Sequence, residues 1–179
     1  NLAESLKTEY PEYNFVPVFW MATEDHDFEE INHFNFRDKK IQWQSNQTGP
    51  VGKFETEGLD KINDLISIIF GKGEKAQKLK DLFSESYIKN NTLTAATFHL
   101  TNELFKNYGI VIVNGDDVIL KNSFKEVAKK ELFDQALNTN ITQTKQYLKN
   151  YFVQVNPREI NLFYIDKGIR ERIVKDNDQ

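Results

Sequence analysis

An α/β fold with a parallel sheet follows from three apolar runs of strand length, Phe15–Ala22, Ile110–Val113 and Ile160–Ile165, each followed closely by ionisable residues. Stretches with helical spacing separate these runs, and buried strands alternating with helices are the pattern of parallel sheets joined by crossovers. Length is the third constraint, since 179 residues suit one domain with its own core.

The elements follow in order. Leu2, Ala3, Leu6 and Tyr10 repeat at helical spacing, and Pro11 ends that helix. The run Phe15–Ala22 is too continuously apolar for a strand with one wet face, so it is expected to be covered on both. Pro17 cannot donate to a ladder and belongs at an edge or at a strand's beginning. Thr23 or Asp25 can cap a following helix that runs to about Phe34. Phe34, Phe36, Ile41 and Trp43 then alternate with polar neighbours, and Gly49-Pro50 and Gly52 supply turns, so short antiparallel strands are predicted here.

From Gly58 the pattern is helical, with Leu59, Ile62, Leu65, Ile66 and Ile69 on one face and Gly71 and Gly73 as stops. A second helix is predicted over Glu74–Tyr87 and a third after Asn91-Thr92, ending at Tyr108-Gly109. Ile110–Val113 is the second buried strand, with Asn114-Gly-Asp-Asp117 at its end. Helices over Val118–Ala136 and Thr142–Phe152 precede the third strand, Ile160–Ile165, which ends at Asp166; a charged tail, Arg170–Asp178, follows. The sum is a Rossmann-like core of which residues 1–179 form part, with 34–107 as an inserted connecting region.

Composition narrows the function. Lys and Arg total 23 against 27 Asp and Glu, a net charge of −4, which argues against a nucleic-acid partner. With no cysteine, disulfides, thiolate metal sites and a cysteine nucleophile are excluded. No apolar run approaches the roughly 20 residues that span a bilayer, and the amphipathic start is not a signal peptide. The chain opens without Met as if already inside a helix, as expected of a piece of a longer protein.

The candidate site is where Phe15–Ala22 gives way to Thr23-Glu-Asp-His-Asp27. In open α/β sheets, ligands bind outside the carboxyl ends of the strands. Two of the chain's three histidines, His26 and His33, lie within Phe15–His33. On a helix from Asp25, His26, Glu30 and His33 would share a face, a set suited to proton transfer or to a divalent metal. The two histidines would then sit about 10 Å apart along the axis at 1.5 Å per residue, which disfavours a shared ion, and no metal is expected. Helix physics offers a plainer account of the acidic residues, Glu29 above all, because carboxylates in a first turn cap free N–H groups and favour the dipole.

Asn114-Gly-Asp-Asp117 reads either as a turn with a helix cap or as ligand contacts. Thr48-Gly-Pro-Val-Gly52 is a weak phosphate-loop candidate that lacks the P-loop Lys-Ser/Thr. Arg158 could pair with an anionic substrate or bridge Glu159, and His99, on an apolar helix, reads as structural.

The wording of these segments carries a resemblance. Val16-Pro-Val-Phe-Trp-Met-Ala-Thr-Glu-Asp-His-Asp-Phe-Glu-Glu-Ile-Asn-His33 resembles the signature of the bacillithiol biosynthesis cysteine-adding enzyme family. Gly49-Pro-Val-Gly52, Tyr108–Asp117 and Arg158–Ile165 agree in the same order, so the likeness spans nearly the whole chain. It implies a nucleotidyl-transferase-like core in a longer, homodimeric, cytoplasmic bacterial enzyme with a C-terminal coiled coil. It also implies a glycine-rich nucleotide-binding segment ahead of Asn1, so the piece alone is expected to be inactive. The implied activity joins L-cysteine to the amine of glucosaminyl malate, with ATP activating the cysteine carboxyl and the thiol arriving on the substrate. On this reading His26 and Asp27 are catalytic, and Thr23, Glu24, Asp25, Asp116, Asp117 and Arg158 bind substrate or nucleotide. The rivals are a metal-dependent hydrolase using His26, Glu30 and His33, and a non-catalytic nucleotide- or thiol-binding domain.

Overall fold

A computed structural model describes residues 1–154, 156–166 and 169–176. The chain divides into two compact units, Asn1–Asp116 and Asp117–Gln179.

The first unit begins with α1 (Leu2–Glu9), closed where the Tyr10 N–H donates to the Leu6 carbonyl at 2.8 Å. Strand β1 (Val18–Met21) pairs in parallel with β4 (Val111–Asn114), and the register sets Val18 against Val111 and Met21 against Asn114. Pro17 stands just before β1 and contributes only its carbonyl, which accepts from Val111 N at 2.9 Å, so its missing donor disrupts nothing. Burial on both faces was the expectation for this run, and the pair departs from it. Only Met21 of β1 is buried, while Val18 is 60% and Trp20 55% exposed. With a single parallel neighbour among the described residues, β1 is covered only near its carboxyl end.

The helix expected from Asp25 to Phe34 is a single turn, α2 (Phe28–Ile31). The chain then enters β2 (His33–Phe36), which folds back on β3 (Lys39–Gln42) with His33 opposite Gln42 and Phe34 opposite Ile41. Arg37 takes the left-handed conformation (φ 53°) that such a tight hairpin demands. The alternation of Phe34, Phe36, Ile41 and Trp43 therefore reports the hairpin correctly. Below it lies the core: Trp43, Val51, Phe54, Leu59 and Leu93, joined by Phe28, Ile62 and Tyr87. Phe28 meets Trp43 edge to face with centroids 5.1 Å apart, and the indole N–H donates to the Glu57 carbonyl at 3.0 Å, so the buried polar atom is satisfied.

Three helices complete this unit. Gly58, with φ 84°, precedes α3 (Leu59–Ile69), where glycine avoids the left-handed penalty. Helix α4 (Glu74–Phe83) continues into a π-helical turn, Ser84–Ile88. Helix α5 (Leu93–Phe105) is capped by Thr92, whose hydroxyl accepts from Ala95 N at 3.2 Å. No described helix is long and apolar enough to cross a membrane.

In the second unit Asp117 caps α6 (Val118–Ser123), followed by α7 (Lys125–Asp134) and α8 (Ala136–Lys145). The single helix expected over Val118–Ala136 is broken at Phe124. There the Ser123 hydroxyl donates to the Leu120 carbonyl at 2.6 Å, a side-chain bond that competes with helix propagation. Of the helix expected over Thr142–Phe152, only Thr142–Lys145 is helical, as the end of α8. Past Lys145 the chain takes tight turns, and Tyr147 and Phe152 are 85% and 93% exposed, so no apolar face holds a helix there.

Ile160–Ile165 is not a third parallel strand. It is replaced by β5 (Phe163–Asp166), which pairs antiparallel with β6 (Ile169–Arg172) and sets the Arg170 guanidinium 3.8 Å over the Phe163 ring. An apolar run specifies a strand without specifying its partner. The end of the charged tail, residues 177 and 178, lies outside the described residues.

Candidate functional site

Strands β1 and β4 end together, and the residues just beyond them form a polar knot. Thr23 N and Gly115 N both donate to the Met21 carbonyl, at 2.8 and 3.0 Å. The buried Thr23 hydroxyl donates to Asn114 Oδ1 and accepts from Asp116 N at 3.0 Å, while the same N–H approaches Asn114 Oδ1 at 3.2 Å. Two residues, one from each strand end, thereby hold the Asp116 N–H. The Asp116 carboxylate, largely buried, has Lys53 Nζ at 3.4 Å.

The loop after Gly49 buttresses this knot rather than waiting for phosphate. Val51 N donates to the Asp25 carbonyl at 2.7 Å, Gly52 N to the Thr23 carbonyl at 3.0 Å and Lys53 N to the Pro50 carbonyl at 3.0 Å. These N–H groups are already engaged, which removes the phosphate-loop reading. Gly52 is buried so tightly that a Cβ would lie 2.6 Å from Thr94 Oγ1 and 2.8 Å from the Thr23 carbonyl oxygen.

Glu24 leans against Gly115, where an added Cβ would collide with its carboxylate. Trp20 Nε1 donates to Glu24 Oε1 at 3.3 Å, while Oε2 is buried without a hydrogen-bond partner among the described residues. A buried carboxylate oxygen lacking a donor is costly, so this position suits an incoming N–H group.

Asp25, His26 and Asp27 follow on the exposed rim. His26 Nδ1 lies 3.0 Å and its backbone N–H 2.7 Å from Asp25 Oδ1. The side-chain bond to His26, then the backbone one, holds the Asp25 carboxyl below its ordinary range. An ionised carboxylate only accepts, so it selects the tautomer with the proton on Nδ1 and leaves the Nε2 lone pair as an acceptor, 3.8 Å from Asp27 Oδ1.

The expected shared face of His26, Glu30 and His33 does not exist, which corrects the geometry behind the metal-dependent hydrolase. His26 precedes the single turn α2, Glu30 lies within it, and His33 is in β2 with Nδ1 3.1 Å from Asn32 Oδ1. Among the described residues, the one metal-competent convergence is Asp25, His26 and Asp27, with ligand atoms within 4.8 Å of one another.

Of the other expected site residues, Asp117 Oδ1 caps α6 by accepting from Ile119 N at 2.8 Å and Leu120 N at 3.0 Å. Arg158 belongs to the second unit, where its guanidinium lies 5.7 Å from the Phe163 ring centroid and its carbonyl accepts from Asn138 Nδ2 at 3.0 Å. The strand ends thus gather Thr23, Glu24 and Asp116, with Asp25, His26 and Asp27 on the adjoining rim. Sequence reasoning missed the parts played by Trp20, Lys53, Asn114 and Gly115. Asn114-Gly115 at a strand end was the available signal, and Trp20 four residues before Glu24 was not one.

Known proteins resemble the chain along its whole length. Residues 1–179 match the family described as "Bacillithiol biosynthesis BshC, N-terminal Rossmann-like domain". A protein of Flavobacterium johnsoniae named "Putative cysteine ligase BshC" is 52% identical over 179 residues, covering 100% of this chain and 34% of its own length. Its namesake in Flavobacterium psychrophilum is 49% identical, covering 99% and 33%, and that of Chloroherpeton thalassium 30% identical, covering 96% and 33%. The chain spans about a third of the length of these curated relatives.

Proposed function

Because the chain belongs to the bacillithiol biosynthesis BshC family through its N-terminal Rossmann-like domain, we propose that it supplies the amine-binding edge of a cysteine ligase. The longer protein joins the carboxyl of L-cysteine to the amine of glucosaminyl malate. The observation that carries this reading is the Thr23–Asn114–Asp116 knot, which holds two carboxylates, Glu24 and Asp116, at the carboxyl ends of parallel strands.

Amide formation needs an activated carboxyl, and ATP supplies that activation in this proposal. The described edge itself does not suit a triphosphate. Its side chains are mainly acidic, Lys53 already faces Asp116, and the N–H groups of Val51, Gly52 and Lys53 are engaged. These residues therefore serve the amine. Glu24 and Asp116 attract its ammonium form, with the unpartnered Glu24 Oε2 as one acceptor. Deprotonated, the nitrogen attacks the activated carbonyl carbon, a C–N bond forms, and the leaving group departs with its bonding pair. His26 Nε2 takes the nitrogen's proton, with Asp25 fixing the ring and Asp27 beside it. In the same reading the longer protein is a homodimer acting on small molecules, and neither nucleic acid nor membrane takes part.

The test is ligation by the full-length protein supplied with cysteine, glucosaminyl malate and ATP, with the amide followed by mass spectrometry. General-base catalysis contributes about 10²–10⁴-fold, so His26→Ala is expected to slow turnover by at least about 100-fold while its melting temperature stays near that of the unmodified protein. Undiminished turnover in H26A would remove His26 from the mechanism.

A further inference from the structure

The first unit holds a cavity of about 710 Å³, lined chiefly by the β2–β3 hairpin and by helices α3, α4 and α5. That lies within the roughly 300–1,000 Å³ of small-molecule sites, and well above the roughly 150 Å³ of an apolar void that takes up benzene. Aliphatic and aromatic side chains make up most of the wall, and no Asp, Glu, Lys or Arg lines it. Ile66, 1% exposed, and Ile41, 6% exposed, lie at its depth, while the half-exposed Ile31, Leu79 and Leu104 stand at its mouth. Protein interiors are close-packed, and water gains few hydrogen bonds against such a wall, so the space suits an apolar occupant.

One buried polar side chain in this wall keeps a group in reserve. Asn32, 4% exposed, donates its backbone N–H to the Phe28 carbonyl at 3.0 Å, and its own carbonyl accepts from Trp43 N at 2.8 Å. Its Oδ1 accepts from Gln42 Nε2 at 3.2 Å and lies 3.1 Å from His33 Nδ1. Asn32 is thereby anchored through backbone and side chain, while Nδ2 has no partner among the described residues. An amide oxygen only accepts, so the bond from His33 places the ring proton on Nδ1 and leaves the Nε2 lone pair open. Other polar groups of the wall are committed elsewhere, the Thr23 hydroxyl to the strand-end knot and the Trp43 indole to the Glu57 carbonyl. The reserved amide is thus oriented before anything binds.

We propose that this cavity binds a neutral amphiphile, an apolar chain or ring bearing one hydroxyl, with Asn32 Nδ2 and His33 Nε2 as contacts of its head. A hydroxyl accepts from the amide and donates to the imidazole lone pair, so it matches both groups at once. The uncharged wall disfavours an ionised ligand, because a charge buried there would go unpaired. The site is distinct from the acidic strand ends and stands without the ligase reading. The rival occupant is an apolar side chain from the rest of the longer protein, of which this chain spans about a third.

The full-length protein, with its isoleucine methyls isotope-labelled, is titrated with n-octanol and separately with toluene, and the methyl signals are followed by NMR. Saturable shifts are expected at Ile41, Ile62 and Ile66, which line the cavity, and not at Ile119, which does not. Loss of one hydrogen bond should weaken octanol binding about tenfold in Asn32→Ala and leave toluene, which has no hydroxyl, unaffected. Leu100→Trp, which fills the cavity without touching Asn32, should abolish the shifts and is informative if the first variant fails to fold. Unmoved cavity methyls in the unmodified protein, as when its own chain fills the space, would overturn the site. So would unchanged octanol affinity in either folded variant.

Discussion

Two glycines near the strand ends look alike in sequence and answer to different neighbours. A Cβ on Gly52 would press on the Thr23 side chain and backbone carbonyl and on Thr94 Oγ1, where little can move. A Cβ on Gly115 would press on the Glu24 carboxylate, the far end of a flexible side chain. Gly52→Ala should therefore cost about 3 kcal/mol, the upper end of overpacking penalties, seen as a lower denaturation midpoint in the full-length protein. Gly115→Ala should leave that midpoint nearly unchanged and instead displace Glu24, lowering ligation about tenfold or more, as expected when a positioned charged hydrogen bond is lost. The sequence displayed these acidic residues clearly, because a strand that gives way to Thr23-Glu-Asp-His-Asp27 is legible from residue type alone. It did not display Asn114 as the acceptor that ties the two strands, because that bond joins residues 91 apart.

At the scale of elements, Glu131 is the informative case. It is 6% exposed, and its carboxylate accepts from Leu137 N, Asn161 N and Asn161 Nδ2, each at 2.8 Å. It thereby caps the start of α8 and ties down the segment before β5. Burial opposes the charge, but the bonds from Asn161 and Leu137 outweigh it and hold the carboxyl below its ordinary range. A lowered folded-state value means that this contribution is present above the unfolded glutamate value and is lost as pH falls below it. Hydrogen bonds to a charged group contribute about 1.5–3 kcal/mol, so Glu131→Gln should cost about 2 kcal/mol at neutral pH. Read as amide hydrogen exchange, that is a fall of roughly thirtyfold in the protection of Leu137 and Asn161, with much less acid sensitivity remaining. Equal protection in E131Q would refute the cap.

The elements also show where sequence patterns stop. Helix α3 was legible because Leu59, Ile62 and Ile66 repeat at helical spacing and Gly58 marks its start. The strand at His33 was not, because the pairing of His33 with Gln42 and of Phe34 with Ile41 drew those residues into a hairpin. Local spacing fits both outcomes, and tertiary pairing decides.

At the scale of the whole molecule, the parallel pair β1–β4 sets the chemistry by bringing residues 20–27 beside 114–116. Its fold class was legible because two apolar runs separated by helices leave few topologies, whereas the third run joined its sequence neighbour. The Rossmann-like assignment is secure in the family match, and the ligase reading asks more of the strand ends than fold alone. The most direct measurement is cysteine-dependent amide formation by the full-length protein and by its Gly115→Ala variant, each supplied with glucosaminyl malate and ATP. The account predicts a product carrying both cysteine and the amine substrate, formed about tenfold or more slowly by a variant of unchanged melting temperature. No such product from the unmodified protein, or equal rates from the two, would contradict it.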